Sequence, residues 1–316
     1  MINKLYLYTS GSNVPYHNIA AEAFMLEHLP PHSCLFYLWQ NRRTVVIGRN
    51  QNAWKECRVG DLERDGGFLA RRLSGGGAVF HDLGNLCFTF ILPAEDYDTG
   101  RQTGILLDAL NRLGLAAVMK GRNDLEIGGK KFSGHAYHRG KANAMHHGTF
   151  LVHADLALAA QYLSPPQEKI TAKGVLSVKS RITNLAAFDR SLTIEKLSGA
   201  LVESVERGYG RQGARLEDAF FDKAEIAGLE ARFSAPEWKY GRSPACSMEV
   251  TSRFDWGGID LHFDVINGDI RNMAAFSDSM DEAFILDLPR YLNGTAFRSN
   301  AGLLEKVGMF YQERSR

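Results

Sequence analysis

Short apolar runs alternate with polar turn residues along the first third of the chain. Their length, aromatic content and punctuation by Gly, Pro and Asn are typical of strands. Apolar residues at helical spacing predict helices over Asn18–Leu29 and Gly104–Leu113. The helices interrupt the strands without a regular strand–helix–strand rhythm, which indicates an α+β domain rather than a doubly wound nucleotide-binding fold. The predicted strands are Leu5–Tyr8, Cys34–Trp39, Thr44–Ile47, Phe68–Ala70, Ala78–Phe80 and Leu86–Leu92.

The middle of the chain continues this mixture of elements. The pattern predicts a strand over Met145–His153 and a helix over Asp155–Leu163 that ends before Pro165-Pro166, because proline cannot continue a helix. Apolar residues on one face predict a longer helix over Thr193–Arg207.

A new set of strands begins near Val250. Asn267-Gly268 lies between two alternating runs and predicts a hairpin turn. We therefore expect two domains, 1–246 and 247–316, the second being a small α+β domain. Its predicted elements are strands over Arg253–Trp256, Ile259–Val265 and Asp269–Phe276, and a helix from Asp281.

Composition narrows the class of protein. The 316 residues are 45% hydrophobic and carry a net charge of +1, so the chain lacks the strong excess of basic residues that nonspecific nucleic-acid binding needs. No signal peptide or bilayer-length apolar run is evident, so we expect a cytoplasmic protein without a membrane partner. The four cysteines are far apart, which predicts reduced, mostly buried thiols. The P-loop, dinucleotide-binding, zincin and serine-hydrolase motifs are missing.

The run Arg71-Arg72-Leu73-Ser74-Gly75-Gly76-Gly77-Ala78-Val79-Phe80-His81-Asp82 is the first candidate site. Three adjacent glycines indicate backbone that must adopt positive φ or approach a ligand closely. Backbone N–H groups and Arg side chains both bind anions, so the run predicts a phosphate or carboxylate site. The alternative is a tight hairpin turn.

The segment 121–134 is the second candidate site. Gly128-Gly129 predicts a hairpin turn between strands Asp124–Ile127 and Lys130–Ser133. Because side chains alternate along a strand, one of Lys130 and Lys131 can enter a pocket while the other stays in solvent. Such a lysine would neutralise charge at a carboxyl or phosphate group. The alternative is an exposed pair of turn lysines.

Three further features remain open. His146 and His147 face opposite ways on a strand, so they cannot form a bidentate metal site, and satisfied core or edge histidines are the alternative to a site role. Asn85 and Asp124 can each orient a polar group, or a carboxylate can hold Mg²⁺. The basic segment 168–184 is either a functional loop or a solvated surface loop.

Together these segments resemble the lipoate-protein ligase A family, within the biotin and lipoate protein ligase superfamily. The resemblance covers nearly the whole chain and is specific because the motifs occur together and in order. They are Val45-Val46-Ile47-Gly48-Arg49 with Asn52-Ala53-Trp54-Lys55-Glu56-Cys57, the glycine run through Asn85, Gly121-Arg122-Asn123-Asp124 with Lys131-Phe132-Ser133-Gly134, His146-His147-Gly148-Thr149, Ala172-Lys173-Gly174, and Ser177 to Leu185.

The resemblance implies a mixed-sheet catalytic domain followed by a small α+β accessory domain. It implies that lipoate and ATP give lipoyl-AMP, and that the lipoyl group passes to a lysine of a carrier domain. The expected cofactors are ATP as substrate and Mg²⁺, without a tightly bound prosthetic group. The expected partners are lipoate or octanoate, the lipoyl domains of 2-oxoacid dehydrogenase complexes and the glycine cleavage carrier protein. A monomer is expected.

The same resemblance implies roles for individual residues. Lys131 is the expected catalytic residue, Asp124 the expected Mg²⁺ ligand, and the loop around Lys173 and Arg181 is expected to close over the adenylate. The expected ATP or adenylate site comprises Arg72, Gly77, Ala78, Val79, Phe80, Asn85, Asp124, Lys131, Lys173 and Arg181. The expected lipoate site comprises Arg71, Ser74, Gly75, Gly76, His81, Lys131, Gly134 and His147.

Two other functions stay open. An octanoyl- or lipoyltransferase of the same superfamily works without ATP and uses a cysteine nucleophile near a lysine. Cys87 lies closest to the glycine run, although its alternation with apolar residues favours a buried structural thiol. A non-catalytic ligand-binding homologue is the third possibility, and the presence of Lys131 speaks against it.

Overall fold

The computed structural model describes residues 2–163, 182–240, 248–266 and 268–314. None of the helices in these ranges has the length and apolar character needed to cross a membrane. The described helices are α1 (Pro15–Glu27), α2 (Ala53–Glu56), α3 (Val59–Arg64), α4 (Thr99–Arg112), α5 (Leu156–Tyr162), α6 (Ile194–Tyr209), α7 (Lys223–Ser234), α8 (Pro236–Tyr240), α9 (Glu282–Leu292) and α10 (Asn300–Arg314). The described strands are β1 (Lys4–Thr9), β2 (Ser33–Trp39), β3 (Thr44–Ile47), β4 (Phe68–Arg71), β5 (Val79–His81), β6 (Asn85–Pro93), β7 (Ala117–Lys120), β8 (Asp124–Ile127), β9 (Lys130–Arg139), β10 (Asn143–Leu151), β11 (Ala214–Arg215), β12 (Met248–Phe254), β13 (Gly257–Ile266) and β14 (Asp269–Ser277).

An eight-stranded mixed sheet forms the main layer, in the order β11-β1-β2-β6-β10-β9-β8-β7. Both faces of its central strands are buried, which explains why β2 and β6 read as continuous apolar runs. On one face Phe88 and Phe90 pack in a core with residues of α4 and α6. On the other face Cys87 and Ile91 pack in a core with Ala21 of α1.

A second, three-stranded sheet in the order β4-β3-β5 lies across α1 from the large sheet. Ile19 and Ala20 of α1 pack with Val46 and Ala70 of this small sheet, while other residues of α1 pack with the large sheet. The helix is therefore buried on two sides. The glycine run connects β4 to β5 and comes to lie beside α1 and the large sheet.

The C-terminal elements have a core of their own. Strands β12, β13 and β14 form an antiparallel sheet whose apolar face packs with α9 and α10. The predicted strands Ile259–Val265 and Asp269–Phe276 and the predicted helix are confirmed, and the α+β expectation holds for both parts. The predicted strand Arg253–Trp256 overlaps only the end of β12, which begins at Met248. The predicted boundary at 246/247, Cys246, Asn267 and the pair Pro165-Pro166 lie outside the described residues, so the division at that point stays a prediction.

Most predicted elements are present with ends displaced by a few residues. The additions that the periodicity did not reveal are strands β7 and β11 and helices α2, α3, α7, α8 and α10. Helix α7 packs against α1, and the two buried residues of α7 are Ile226 and Phe233, so its apolar face is too narrow to stand out in the sequence. Cys34, Cys57 and Cys87 are free and buried, as predicted.

A buried imidazole pair lies on the α4 and α6 side of the large sheet. His146 Nε2 is 3.0 Å from His135 Nδ1, and His146 Nδ1 is 3.0 Å from Gln102 Oε1. Burial, followed by the Lys131 charge, lowers the pKa of His135 to about 3. Burial, with His135 as the next cause, holds the pKa of His146 well below its usual range. Both side chains are therefore neutral near pH 7.

This pair predicts acid lability. Below the ordinary histidine pKa of about 6.5, these two side chains bind protons in the unfolded chain but not in the folded protein. The free energy of unfolding therefore falls as pH decreases towards 3, by up to about 1.4 kcal/mol per pH unit for each such group. We expect the melting temperature to fall between pH 7 and pH 5, and His146→Gln to make that fall shallower. Thermal unfolding followed across this pH range measures the slope. His153→Gln, at an exposed position, is the control, and equal slopes in the two variants would contradict the prediction.

Candidate functional site

The glycine run lies backbone against backbone on the end of β3. A Cβ atom added to Gly48 would overlap the carbonyl oxygen of Gly76, and Gly76 itself has φ +90°. The buried guanidinium of Arg72 fixes the run from inside by donating to the carbonyl oxygens of Gly75 (2.6 Å) and Gly77 (2.8 Å). Burial lowers the pKa of Arg72 to about 10, which leaves it charged at neutral pH.

Arg71 donates its hydrogen bonds to backbone carbonyl groups. Its Nε donates to the carbonyl oxygen of Trp238 (2.9 Å), its Nη1 to that of Gln51 (2.7 Å) and its Nη2 to that of Lys239 (2.6 Å). The side chain is buried and lies outside the wall of the central cavity described below. Its donors tie the end of β3 to α8. The expected contact of Arg71 with lipoate stays a prediction.

The central cavity opens between α1, the large sheet and the glycine run, and encloses about 680 Å³ that is partly open to solvent. Of the site residues predicted from the sequence, nine line this cavity, and six others that the structure describes do not. Those that line it are Arg72, Gly76, Gly77, Ala78, Val79, His81, Lys131, Gly134 and His147. Those outside its lining are Arg71, Ser74, Gly75, Phe80, Asn85 and Asp124. Lys173 and Arg181 lie outside the described residues.

Some of the residues outside the lining support those that form it. Phe80 is buried with Tyr162 in the core behind the small sheet, so its side chain points away from the cavity. Asn85 is fully buried, and its Nδ2 donates to the sulfur of Cys87 at 3.2 Å. Asp124 lies beside Lys131, and Ser74 contacts His147. These residues act on the cavity through their neighbours.

Lys131 reaches the cavity from the predicted hairpin. Gly128 and Gly129 have φ of +56° and +73°, which is the backbone of a tight hairpin turn that glycine adopts readily. Lys130 is exposed, whereas Lys131 Nζ lies 2.7 Å from Asp124 Oδ1. The backbone of Lys131 also accepts a hydrogen bond from the N–H of Thr183 (2.8 Å), so the chain returns at residue 182 directly beside this lysine.

A buried polar chain forms one wall of the cavity. Glu22 Oε1 is 2.9 Å from His147 Nδ1, and His147 Nε2 is 2.6 Å from the hydroxyl of Ser74. Thr89 also donates to Glu22 Oε1 (2.6 Å). Within the described part of the chain the second oxygen of Glu22 has no hydrogen-bond partner, although the side chain is fully buried. The carboxylate orients the imidazole, and the imidazole orients the serine hydroxyl.

Glu22 and several other lining residues were not predicted from the sequence. They include Ile19, Trp39, Val46 and Met280. A signal existed for Glu22, since it is a charged residue within the otherwise apolar segment Ile19 to Phe24 and lies one helical turn from Ile19. Met280 carries no comparable signal because it is brought in from the C-terminal part of the chain.

Cys87 also lines the cavity, with His81 Nδ1 at 3.6 Å from its sulfur. Burial raises the pKa of the Cys87 thiol well above its usual range. Burial, with the Arg72 charge as the next cause, lowers the pKa of His81 to about 3. Both groups are neutral at pH 7, so the pair does not form the thiolate and imidazolium of an activated cysteine.

The adjacent histidines face opposite ways, as predicted. His147 lines the cavity, while His146 lies behind the sheet in the imidazole pair with His135. Among the described residues, Glu249, Asp260 and His262 bring potential metal-ligand atoms within 4.8 Å of one another on the C-terminal sheet, away from the cavity. Asp124 offers one carboxylate beside Lys131, which lines the cavity.

Comparison with known proteins places this geometry in a family. A family model described as the lipoyl protein ligase A/B catalytic domain matches residues 14–206, which is more than half of the chain. The chain belongs to the lipoate-protein ligase family. A second model, the bacterial lipoate protein ligase C-terminus, matches residues 243–306 of this family member.

Solved structures of lipoate-protein ligases share the fold. P. falciparum LipL1, crystallised in complex with lipoate, is 27% identical, with a TM-score of 0.84 over 98% of this chain and 94% of that chain. A bi-partite lipoate protein ligase from Thermoplasma acidophilum is 26% identical, with a TM-score of 0.67 over 78% of this chain and 99% of that chain. A lipoate-protein ligase A bound with ATP, 23% identical, has a TM-score of 0.65 over 76% of this chain and 99% of that chain, and shows the fold.

The contact between β3 and the glycine run predicts that Gly48→Ala destabilises the protein. The added methyl group must displace the Gly76 carbonyl, an overpacking that costs about 1–3 kcal/mol. We expect a lower melting temperature in thermal unfolding. Gly60→Ala in α3 is the matched control, because a Cβ there meets nothing within 4 Å. Equal melting temperatures for the two variants would show that the run is not held against β3.

Proposed function

We propose that this lipoate-protein ligase family member activates lipoate with ATP and transfers the lipoyl group to a carrier lysine. The observation that carries this proposal is the position of Lys131, a cation on the wall of the cavity that the glycine run also lines. One ammonium group there can contact both the acyl carboxylate and the α-phosphate that this carboxylate attacks. That arrangement suits adenylation, because it offsets the repulsion between the two anions and the charge that develops on the phosphate oxygens.

The acyl chain is assigned to the inner part of the cavity. Ile19, Trp39 and Val46 provide apolar surface there, and Glu22 and His147 provide the polar wall. An apolar pocket with a few placed polar groups is the usual form of a site for a small amphipathic ligand. The lipoate complex of P. falciparum LipL1 supports lipoate as this ligand.

The nucleotide is assigned to the outer part, along Gly77 to Val79 and Asn123. The ATP complex of lipoate-protein ligase A supports ATP as the second substrate. Asp124 fits the Mg²⁺ expected with ATP, since Mg²⁺ is commonly held by one or two carboxylates together with substrate phosphates. Mg²⁺ would supply charge neutralisation on the phosphates. Arg72 shapes the site by fixing the run, since its donors are already bonded to protein carbonyls.

The proposed chemistry has two steps. A lipoate carboxylate oxygen attacks the α-phosphorus of ATP, a P–O bond forms, and pyrophosphate leaves. The neutral amine of the carrier lysine then attacks the acyl carbonyl, AMP leaves with the C–O bonding electrons, and the amine loses a proton as the amide forms. Lys131 neutralises the anionic oxygens in both steps, and Asp124 holds its ammonium group before the substrates bind.

We further propose that the segment before Thr183 closes over the adenylate. Its charged residues Lys173 and Arg181 lie outside the described residues. The residues that follow them, Ile182 and Thr183, lie beside Lys131, which lines the cavity. The proposed acceptors are lipoyl domains of 2-oxoacid dehydrogenase complexes and the glycine cleavage carrier protein. The Thermoplasma acidophilum ligase, whose structure was analysed with its E2 lipoyl domain, supports the first of these.

Lys131→Ala tests the proposal most directly. We expect lipoate-dependent exchange of pyrophosphate into ATP to fall by about 10²–10³-fold, as when one preorganised charge is removed from an active site. Exchange of labelled pyrophosphate, with mass spectrometry of an incubated lipoyl domain, measures both steps. Lys130→Ala is the matched control, since Lys130 is the exposed neighbour. Absence of exchange in the unaltered protein would overturn the ligase assignment, and equal activity of the two variants would remove Lys131 from its role.

An ATP-independent acyltransferase is the second candidate, because the Cys87 thiol lies on the cavity wall near His81. The raised pKa of Cys87 and the lowered pKa of His81 argue against it. We expect Cys87→Ala to retain ATP-dependent lipoylation of a lipoyl domain. Loss of transfer in this variant, together with transfer from an acylated carrier by the unaltered protein without ATP, would support the transferase instead. Mass spectrometry of the acceptor domain reports each outcome.

A further inference from the structure

Helix α8 meets the start of the glycine run through a reciprocal contact. The indole N–H of Trp238 donates to the carbonyl oxygen of Arg71 at 2.9 Å, and the Nε–H of Arg71 donates to the carbonyl oxygen of Trp238 at 2.9 Å. Arg71 is the last residue of β4 and directly precedes Arg72, whose guanidinium holds Gly75 and Gly77. The main chain is therefore fixed from α8 at the point where the run begins.

The indole ring of Trp238 is held by its own neighbours. The Cζ atom of Arg49, just after β3, lies 4.0 Å from the centroid of the ring, and that of Arg232 on α7 lies 4.8 Å from it. Cations are attracted to the electron-rich face of an indole, so each guanidinium restricts the tilt of the ring. Phe233 of α7 meets the ring edge-on at 5.1 Å. These contacts keep the indole N–H directed at Arg71.

The apolar part of Trp238 packs against the core that supports the cavity wall. This core contains Ile19 and Val46, and Val79 also packs against it. All three of these residues line the cavity, whereas Trp238 is half-buried and lies outside the lining. Trp238 can therefore influence a bound substrate only through its neighbours.

We propose that Trp238 is a positioning residue for the nucleotide, acting through Arg71 on the glycine run. The inference rests on the proposed function, because it takes Gly77 to Val79 as the part of the run that binds ATP. Without the indole N–H, the Arg71 carbonyl loses its donor and the end of β4 is held less firmly. A run that must be ordered when ATP arrives binds it more weakly, because the ordering opposes binding.

Trp238→Phe tests this inference, since it keeps an aromatic ring beside the two guanidinium groups and removes the N–H. We expect the KM for ATP in lipoate-dependent pyrophosphate exchange to rise about 3–10-fold, the effect of one lost hydrogen bond. The change in kcat should be smaller. Trp238→Ala should raise the KM further. Trp256→Phe is the matched control, because Trp256 stacks on Phe254 in the C-terminal core, and its KM for ATP should be unchanged.

A double-mutant cycle tests the route through Arg71. Arg71→Lys keeps a cation but removes the Nε donor to the Trp238 carbonyl, and we expect it to raise the KM for ATP as well. Combined with Trp238→Phe, it should raise the KM by less than the product of the two single effects, because both changes break one reciprocal contact. Effects that multiply would overturn the route through Arg71.

The remaining outcomes separate this inference from the proposed function. An unchanged KM for ATP in Trp238→Phe and Trp238→Ala, with or without a lower melting temperature, would leave Trp238 a structural role only and overturn the inference. If Trp238→Ala fails to fold, Trp238→Phe carries the comparison. Absence of lipoate-dependent exchange in the unaltered protein would overturn the proposed function instead, and calorimetric titration with ATP then compares the same variants. Absence of ATP binding to the unaltered protein would overturn both.

Discussion

The buried guanidinium of Arg72 is the interaction on which the site depends. Removing a cation from water is costly unless polar partners replace the lost hydration. Here the partners are the Ser74 hydroxyl and the carbonyl oxygens of Gly75 and Gly77. The charge and the bare backbone therefore stabilise one another. Without the cation these carbonyls would be unpaired next to a cavity, and without the glycines the backbone could not fold around the cation.

The other parts of the site are positioned around the glycine run that Arg72 fixes. Helix α1 lies between the two sheets and brings Glu22 to the cavity wall, while the β8–β9 hairpin brings Lys131 from the far edge of the large sheet. The segment between β14 and α9 adds Met280 from the C-terminal part of the chain. Each element has its own apolar packing, so the polar groups that meet in the cavity are held by rigid supports rather than by one another alone.

The sequence predicted the parts of this site that depend on local rules. The hairpin at Gly128-Gly129 follows from the φ that glycine permits, and alternation along a strand separated Lys130 from Lys131 and His146 from His147. It did not predict where Arg71 points, because the carbonyl groups of Trp238 and Lys239 that it contacts are more than 160 residues away. Met280 was not predicted for the same reason, since its neighbours come from other elements, whereas Glu22 did carry a local signal as the charged residue of an apolar segment. Local periodicity carries no information about such distant contacts.

The adjacent imidazoles of β10 also bear on how the sheet assembles. A slip of one residue against β6 or β9 would turn His146 towards the cavity and His147 into the space behind the sheet. Because the two histidines are adjacent, a slip in one direction would place Met145 opposite Gln102, and a slip in the other would place Gly148 opposite Glu22. A misregistered sheet therefore leaves a buried polar group without its imidazole partner whichever way it slips. The pairing of strands in the folding chain and the placement of a polar group in the finished cavity are decided by the same two side chains.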